Sequence, residues 1–363
     1  MASRKKNRVA SPIKKFSYIL ILAIILIGGL FYADNIFTPS HTADEHLGLH
    51  DAHNIDKTPV GLRPIRDKLI AMLDAKDPNT IFNVVDAIQA DSALSVNCHD
   101  IAHDIGHKAY ELYGFSEAMT FDNPNHVKHA LVQYICAGGY MHGILEQLVF
   151  DKPEFLERPE IICDQVPESD RASCFHGVGH VFMMYYKRNV PASILGCRVI
   201  KEASDTYRCF EGVRMEQFWG NSDGMTTTEL GWDLKRPLDS CVAAKEDEKP
   251  TCFLYATFGY LRTHVKDYFG AAHLCTNSEL PPSDTQFCLK GLGMTMMSKF
   301  KGQNMEGSEI YVDGMSIDEK RAFYQGVTGY ARLSGVSAEQ LRNACLMLKS
   351  DVEVCLDALS GYK

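Results

Sequence analysis

Residues 163–186 read CDQVPESDRASCFHGVGHVFMMYY: a cysteine, a polar turn-like stretch around Pro167, a second cysteine, and an apolar run interrupted by His176, Gly177, Gly179 and His180. The layout recurs on both sides. Copies begin at Cys136 (CAGGYMHGILEQLVF), Cys209 (CFEGVRMEQFWG), Cys252 (CFLYATFGYLRT) and Cys288 (CLKGLGMTMMSKF). An earlier copy begins at Asn97 (NCHDIAHDIGHKAY) and a later one at Phe323 (FYQGVTGYARL). Successive starts lie 35 to 43 residues apart. A period of that size, with long apolar stretches, predicts a pair of antiparallel helices per repeat and an all-α fold.

Glycine recurs three places after the start, at Gly139, Gly177, Gly212, Gly291 and Gly326. Inside a helix glycine costs roughly 1 kcal/mol relative to alanine. Its recurrence in one slot therefore predicts close helix–helix approach, where a side chain would collide.

Most of the twelve cysteines fall into short-range pairs. These are Cys163 with Cys174, Cys197 with Cys209, Cys241 with Cys252, Cys275 with Cys288, and Cys345 with Cys355. Turn-like stretches such as 167–170, 246–250 and 280–284 separate the partners. The first cysteine of each pair reads as the end of one helix and the second as the start of the next, so a disulfide would staple each hairpin. Closing a loop of that length contributes on the order of 3 kcal/mol by restricting the unfolded chain. Cys98 and Cys136 are left over. They can bridge neighbouring repeats, stay as thiols or ligate a metal, and an oxidising compartment favours the bridge.

The histidines follow the helical period. Counting from each repeat start, positions +2, +6 and +10 share one face. They are His99, His103 and His107 in the first copy, Gly138, His142 and Glu146 in the second, and His176, His180 and Met184 in the third. The fourth copy has Glu211, Met215 and Trp219, with Glu216 nearby. Paired imidazoles one turn apart can hold a metal from a single helix, and imidazole suits zinc, iron and copper. The face therefore predicts a divalent transition-metal site built from His99, His103, His107, His142, Glu146, His176 and His180. His103, His142, His180 and Glu146 are its leading members, and Glu146 doubles as a candidate catalytic base. Asp100, Asp104 and Glu211 are candidates to orient the imidazoles from behind. Neighbouring helices sit about 8–10 Å apart, so two helices can share an ion readily, whereas engaging three demands strong curvature. A hydrogen-bonded or pH-responsive histidine cluster is the alternative reading of the same face.

The architecture resembles the cysteine-rich, exported branch of the Sel1-like repeats, α/α hairpins of similar period stapled by spaced cysteines. That resemblance covers about residues 90–363 and implies a solenoid; it carries no function across. A closed α/α toroid, as in lanthionine-cyclase-like proteins, is the alternative. Separately, Ala102-His103-Asp104-Ile105-Gly106-His107 resembles the signature of HD-superfamily metal phosphohydrolases, which implies a metal held by His103 and Asp104 that activates water.

The N-terminus carries Arg4, Lys5, Lys6, Arg8, Lys14 and Lys15, followed by FSYILILAIILIGGLFY at 16–32. That run is at the short end of what spans a bilayer. The flanking charge predicts a cytoplasmic tail at 1–15, a transmembrane signal-anchor at 16–32, a linker at 33–60 and an exported helical ectodomain at 61–363, periplasmic or extracellular. Phe31 three places before a cut at Ala33 argues against cleavage. His41, His46, His50 and His53 in the linker read as part of a solvated spacer. A net charge of −9 gives no sign of nucleic-acid binding. Nucleophile-elbow, Walker, dinucleotide-binding and haem-attachment motifs are missing from the sequence.

Two function classes remain. One is a membrane-anchored metalloprotein, a hydrolase or oxidoreductase with a His/Glu centre. The other is a non-catalytic scaffold presenting a concave face to a protein or peptide partner.

Overall fold

Segment 139–149, GYMHGILEQLV, is buried at every position, its polar His142, Glu146 and Gln147 included, so this helix lies wholly inside the structure and its apolar majority is shielded from water. Around such helices the chain forms an all-helical structure. It is a computed structural model describing residues 58–119, 136–219, 233–276, 279–299 and 305–360, apart from positions 59, 91–93, 95–97, 137, 234–235 and 306 and the pair at 334–335. No β-strand occurs among the described residues. The apolar run at 16–32 and the histidines at 41–53 lie outside them. No helix among the described residues is long and apolar enough to cross a membrane.

Two helices, α1 (Arg63–Ile70) and α2 (Thr80–Ala90), precede the repeats. The long helices that follow are α3 (Cys98–Met119), α4 (Gly139–Asp151), α6 (Glu168–Tyr185), α8 (Ala203–Trp219), α10 (Lys249–Thr263), α12 (Pro282–Lys299) and α13 (Ile317–Leu333). Each packs on the next in that order, so the row is sequential. Between them come shorter helices: α5 (Glu160–Cys163), α7 (Val190–Cys197), α9 (Asp239–Val242), α11 (Tyr268–Thr276), α14 (Ala338–Leu346) and α15 (Val352–Ser360). Where a short helix precedes a long one, the two helices of a repeat are therefore unequal in length. Asn189 caps α7 by accepting from the Ala192 amide, and Ser337 with Gln340 forms a capping box on α14.

Six disulfides hold the repeats: Cys98–Cys136, Cys163–Cys174, Cys197–Cys209, Cys241–Cys252, Cys275–Cys288 and Cys345–Cys355. Five join a short helix to the helix after it. The sequence reading put the second cysteine of each pair at a helix start; instead α6, α8 and α12 begin earlier, and Cys174, Cys209 and Cys288 lie well inside them. The polar residues ahead of those cysteines, such as Glu168, Asp170 and Asp205, sit in the first turn, where acidic side chains suit the helix dipole. They resemble turn residues in the sequence for that reason. Ion pairs reinforce the staples. Arg171 reaches Asp164 at 2.6 Å and Asp205 at 2.8 Å, and Arg198 reaches Asp247 at 2.7 Å and Glu248 at 2.6 Å.

Glycine decides how closely the long helices approach. A Cβ at Gly143 would stand 2.0 Å from the His103 carbonyl oxygen, and one at Gly106 would stand 2.1 Å from that of Tyr140. Helices α3 and α4 thus touch backbone to backbone, a separation that only a residue without a Cβ permits. Between α4 and α6 the contact runs through side chains: a Cβ at Gly177 would meet Leu145 and the His142 ring.

Buried hydrophobics form two clusters, one running from Leu69 to Val213 and one from Phe218 to Ala358. Met183, Met296 and Met297 are packed in these cores. The histidine-bearing helices belong to the first.

Candidate metal centre

Helix α3 presents His99 and His103 one turn apart, α4 presents His142, and α6 presents His176 and His180 one turn apart. The five rings converge. The His142 ring centroid is 5.2 Å from His99, 5.4 Å from His103, 5.2 Å from His176 and 4.5 Å from His180. Rings from α3 and α6 also meet across it, with His103 and His180 5.9 Å apart. The sequence reading expected three-helix engagement to need strong curvature. Backbone contact of α3 with α4 at Gly106, Gly139 and Gly143 contributes to that engagement.

The cluster is buried, with His103, His142 and His180 each 2% exposed or less. His99 and His176 are half-buried and form its rim. Two sets of imidazoles could each hold a metal ion: His99, His103 and His142, and His142, His176 and His180, each with its ligand atoms within 4.8 Å of one another.

Hydrogen bonds behind the rings fix which nitrogen faces inward. His99 Nδ1 is 3.0 Å from the carbonyl oxygen of Cys136. A carbonyl only accepts, so Nδ1 carries the proton and Nε2 of the neutral ring has a lone pair. His103 Nδ1 donates to Glu146 Oε2 at 3.1 Å, and His180 Nδ1 donates to Glu216 Oε1 at 2.7 Å. Oxygen acceptors behind Nδ1 that leave Nε2 basic are the usual backing of metal-binding histidines. Arg188 Nη1 lies 3.3 Å from Glu216 Oε2 and holds that carboxylate in turn. Lys187 and Arg188 both adopt left-handed backbone conformations, which turn the chain sharply at the end of α6.

The separation of His99 Nε2 and His103 Nε2 is 3.2 Å. Two facing lone pairs repel at that distance. A tetrahedral ion about 2.0–2.1 Å from each nitrogen would space its ligand atoms about 3.3 Å apart, so the gap fits an ion between them. Two further nitrogens, His142 Nδ1 and His180 Nε2, are buried with no hydrogen-bond partner. A buried polar atom in that state costs about 1–3 kcal/mol, which a bound cation offsets. Burial, then the neighbouring rings of His180, His176, His99 and His103, hold His142 well below the ordinary histidine value, so it stays neutral and able to ligate. His176 is depressed in the same direction by burial, then by His180, His99 and Arg208, against the opposing pull of Glu216.

Glu146, His107, Asp100, Asp104 and Glu211 lie outside the two metal-capable sets. Glu146, expected as ligand or base, accepts from His103 Nδ1 and from His107 Nε2, the latter at 2.8 Å. His103 and His107 thus share one carboxylate oxygen. Asp104 accepts from Thr58 Oγ1 at 2.6 Å and Arg66 Nη1 at 2.9 Å, tying α3 to the chain before it. The metal-capable sets contain His103 without Asp104, because adjacent residues on a helix point about 100° apart. Glu211 is buried against Arg208 at 2.7 Å, its carboxyl pushed up by burial and pulled back by that guanidinium. Asp100 is half-buried in the first turn of α3. The carboxylate that backs His180 is Glu216, one place off the face defined by Glu211, Met215 and Trp219. The Cys136 carbonyl and Arg188 carry no sequence signal at all.

No family model, curated protein or solved structure matches this chain.

Proposed function

We propose that this chain is a membrane-anchored, extracytoplasmic metalloprotein whose histidine cluster binds a divalent transition metal: zinc, iron or copper. One observation carries the reading. His99 and His103 bring their Nε2 atoms within 3.2 Å while their Nδ1 atoms face oxygen acceptors. With both Nδ1 protons turned to oxygen, the two Nε2 atoms offer lone pairs to one point, an arrangement that a shared metal cation satisfies. An all-imidazole donor set suits zinc, copper and iron and disfavours magnesium and calcium, which seek oxygen.

His99, His103 and His142, or His142, His176 and His180, would hold such a transition-metal ion. Zinc held there would supply hydrolytic chemistry, and iron or copper would supply redox chemistry. In either case Glu146 and Glu216 would act through the histidines they orient. Six disulfides support an oxidising compartment. With the basic N-terminus and the apolar run at 16–32, they support a signal-anchor with the helical repeats outside the cytoplasm. The sequential packing of long helices supports an α/α-hairpin solenoid of the Sel1-like kind.

Elemental mass spectrometry of the 363-residue chain, purified in detergent with its cysteines oxidised, tests the reading. Zinc, iron or copper at one equivalent or more, lost when His103, His142 and His180 are replaced by alanine, is the expected result. Metal-free protein that takes up none of the three ions on reconstitution would overturn it and leave the interaction scaffold as the better account.

A further inference from the structure

We propose that the cluster holds two metal ions, with His142 a ligand to both, one through each ring nitrogen. The inference rests on the metal-binding reading above and adds the number of ions and the shared ligand.

Five imidazoles are too many for one tetrahedral ion, and they do not form one group. They divide into two sets of three, and His142 belongs to both. The remainder of each set is a pair one helical turn apart, His99 with His103 on α3 and His176 with His180 on α6. Ring centroids within each pair lie 4.9 Å apart. A pair at that spacing on one helix grips one ion from one side, as in helical zinc motifs.

The two halves are built alike. In each, the inner histidine donates through Nδ1 to a buried glutamate on the following long helix: His103 to Glu146 on α4, and His180 to Glu216 on α8. Across the halves the rings stand further apart, at 5.9 and 6.2 Å, and His142 fills the space between them. Its Nδ1 is buried without a hydrogen-bond partner, so no acceptor reserves that nitrogen for a proton in the way that Cys136, Glu146 and Glu216 do for His99, His103 and His180. Gly177 leaves the room that this ring occupies; a Cβ there would stand 3.0 Å from His142 Cδ2. When the second ion binds, it replaces the remaining ring proton of His142, which leaves to solvent.

The probes are zinc and copper(II), added to the metal-stripped 363-residue chain. Zinc should bind at two equivalents per chain. H99A/H103A and H176A/H180A should each keep one equivalent, with folding verified by circular dichroism. Copper needs no variant: at two equivalents, exchange through the bridging ring should remove much of the isolated copper(II) paramagnetic-resonance signal seen at one equivalent. A single zinc per chain, or loss of all metal from both paired variants, would overturn two-ion binding while leaving the metal reading intact. Two copper signals of full, uncoupled intensity would overturn the shared ligand. No binding of either ion would sink both proposals together.

Discussion

The residue that orients His99 is covalently joined to its neighbour: His99 Nδ1 lies 3.0 Å from the carbonyl oxygen of Cys136, whose sulfur is bonded to Cys98. This disulfide thus fixes the end of α3 that carries His99 to the segment whose backbone holds that ring. Cys136 itself has a left-handed backbone conformation, φ 53°, and Gly138 follows with φ 90°. The unusual turn presents the carbonyl to the imidazole.

Replacing Cys98 and Cys136 with serine should therefore weaken metal binding. Loss of a partner behind a ligand costs about 10–100-fold in affinity, measurable by competition against a chromogenic chelator. Replacing Cys345 and Cys355 should lower the unfolding free energy by about 2–3 kcal/mol and leave affinity unchanged. Equal loss of affinity in the two variants would show that the Cys98–Cys136 bridge acts only through general stability.

The carboxylates behind the centre give a second prediction. Glu146→Gln and Glu216→Gln keep shape and remove charge, so the amide can present N–H to His103 or His180 Nδ1 and turn the proton to the inward nitrogen. Each change should reduce metal affinity about 10–100-fold, with the fold retained by circular dichroism. Glu211→Gln, which alters a carboxylate paired with Arg208, is the control and should leave affinity unchanged. If Glu146→Gln binds metal as the unmodified chain does, Glu146 is not the positioning residue of His103.

How far the centre could be read in advance follows from which forces leave a period. Helices, hairpin cysteines and the histidine face all repeat at helical or repeat spacing, and His99, His103, His142, His176 and His180 were legible for that reason. Glu216 stands one place off the expected face because four residues turn a helix by about 400°, so a strict four-residue stride drifts away from any straight contact line. Asp104 looked like part of the centre because it adjoins His103 in sequence, although helical rotation carries it to Arg66 and Thr58. The Cys136 carbonyl could not be read, since backbone groups have no residue type. The earlier starts of α6, α8 and α12 were hidden because first-turn acidic residues and turn residues share a composition.

The glycines separate packing from ligand geometry. Gly143→Ala adds a Cβ 2.0 Å from a backbone oxygen of α3, which cannot yield without moving the helix. It should destabilise the protein by about 1–3 kcal/mol, despite a helix-propensity gain of roughly 1 kcal/mol, and weaken metal binding as α3 moves away. Gly177→Ala meets the side chains of Leu145 and His142 instead, and those can rotate. Its loss of stability should be smaller and its effect on metal affinity the larger part. Thermal melts with and without zinc resolve the two contributions. A Gly143→Ala protein as stable as the unmodified chain would mean that the α3–α4 contact is not set by that glycine.

Acid should weaken the metal-free fold through the same buried rings. His142 and His176 are held well below the ordinary value of 6.5, chiefly by burial. Above pH 6.5 both are neutral whether the chain is folded or unfolded, so they make no difference to stability there. As pH falls below that value, the unfolded chain takes up protons that the folded chain refuses, and folding loses free energy. The slope approaches about 1.4 kcal/mol per pH unit for each fully buried group. His142 should contribute most, because His176 is half-buried and partly screened by solvent. Urea unfolding of the chelator-treated chain between pH 7 and about pH 5, above the range in which ordinary carboxylates titrate, should show the decline. His142→Asn should flatten it. A metal-free protein whose stability is level across that window would mean that these rings already carry protons in the folded state, contrary to their role as neutral ligands.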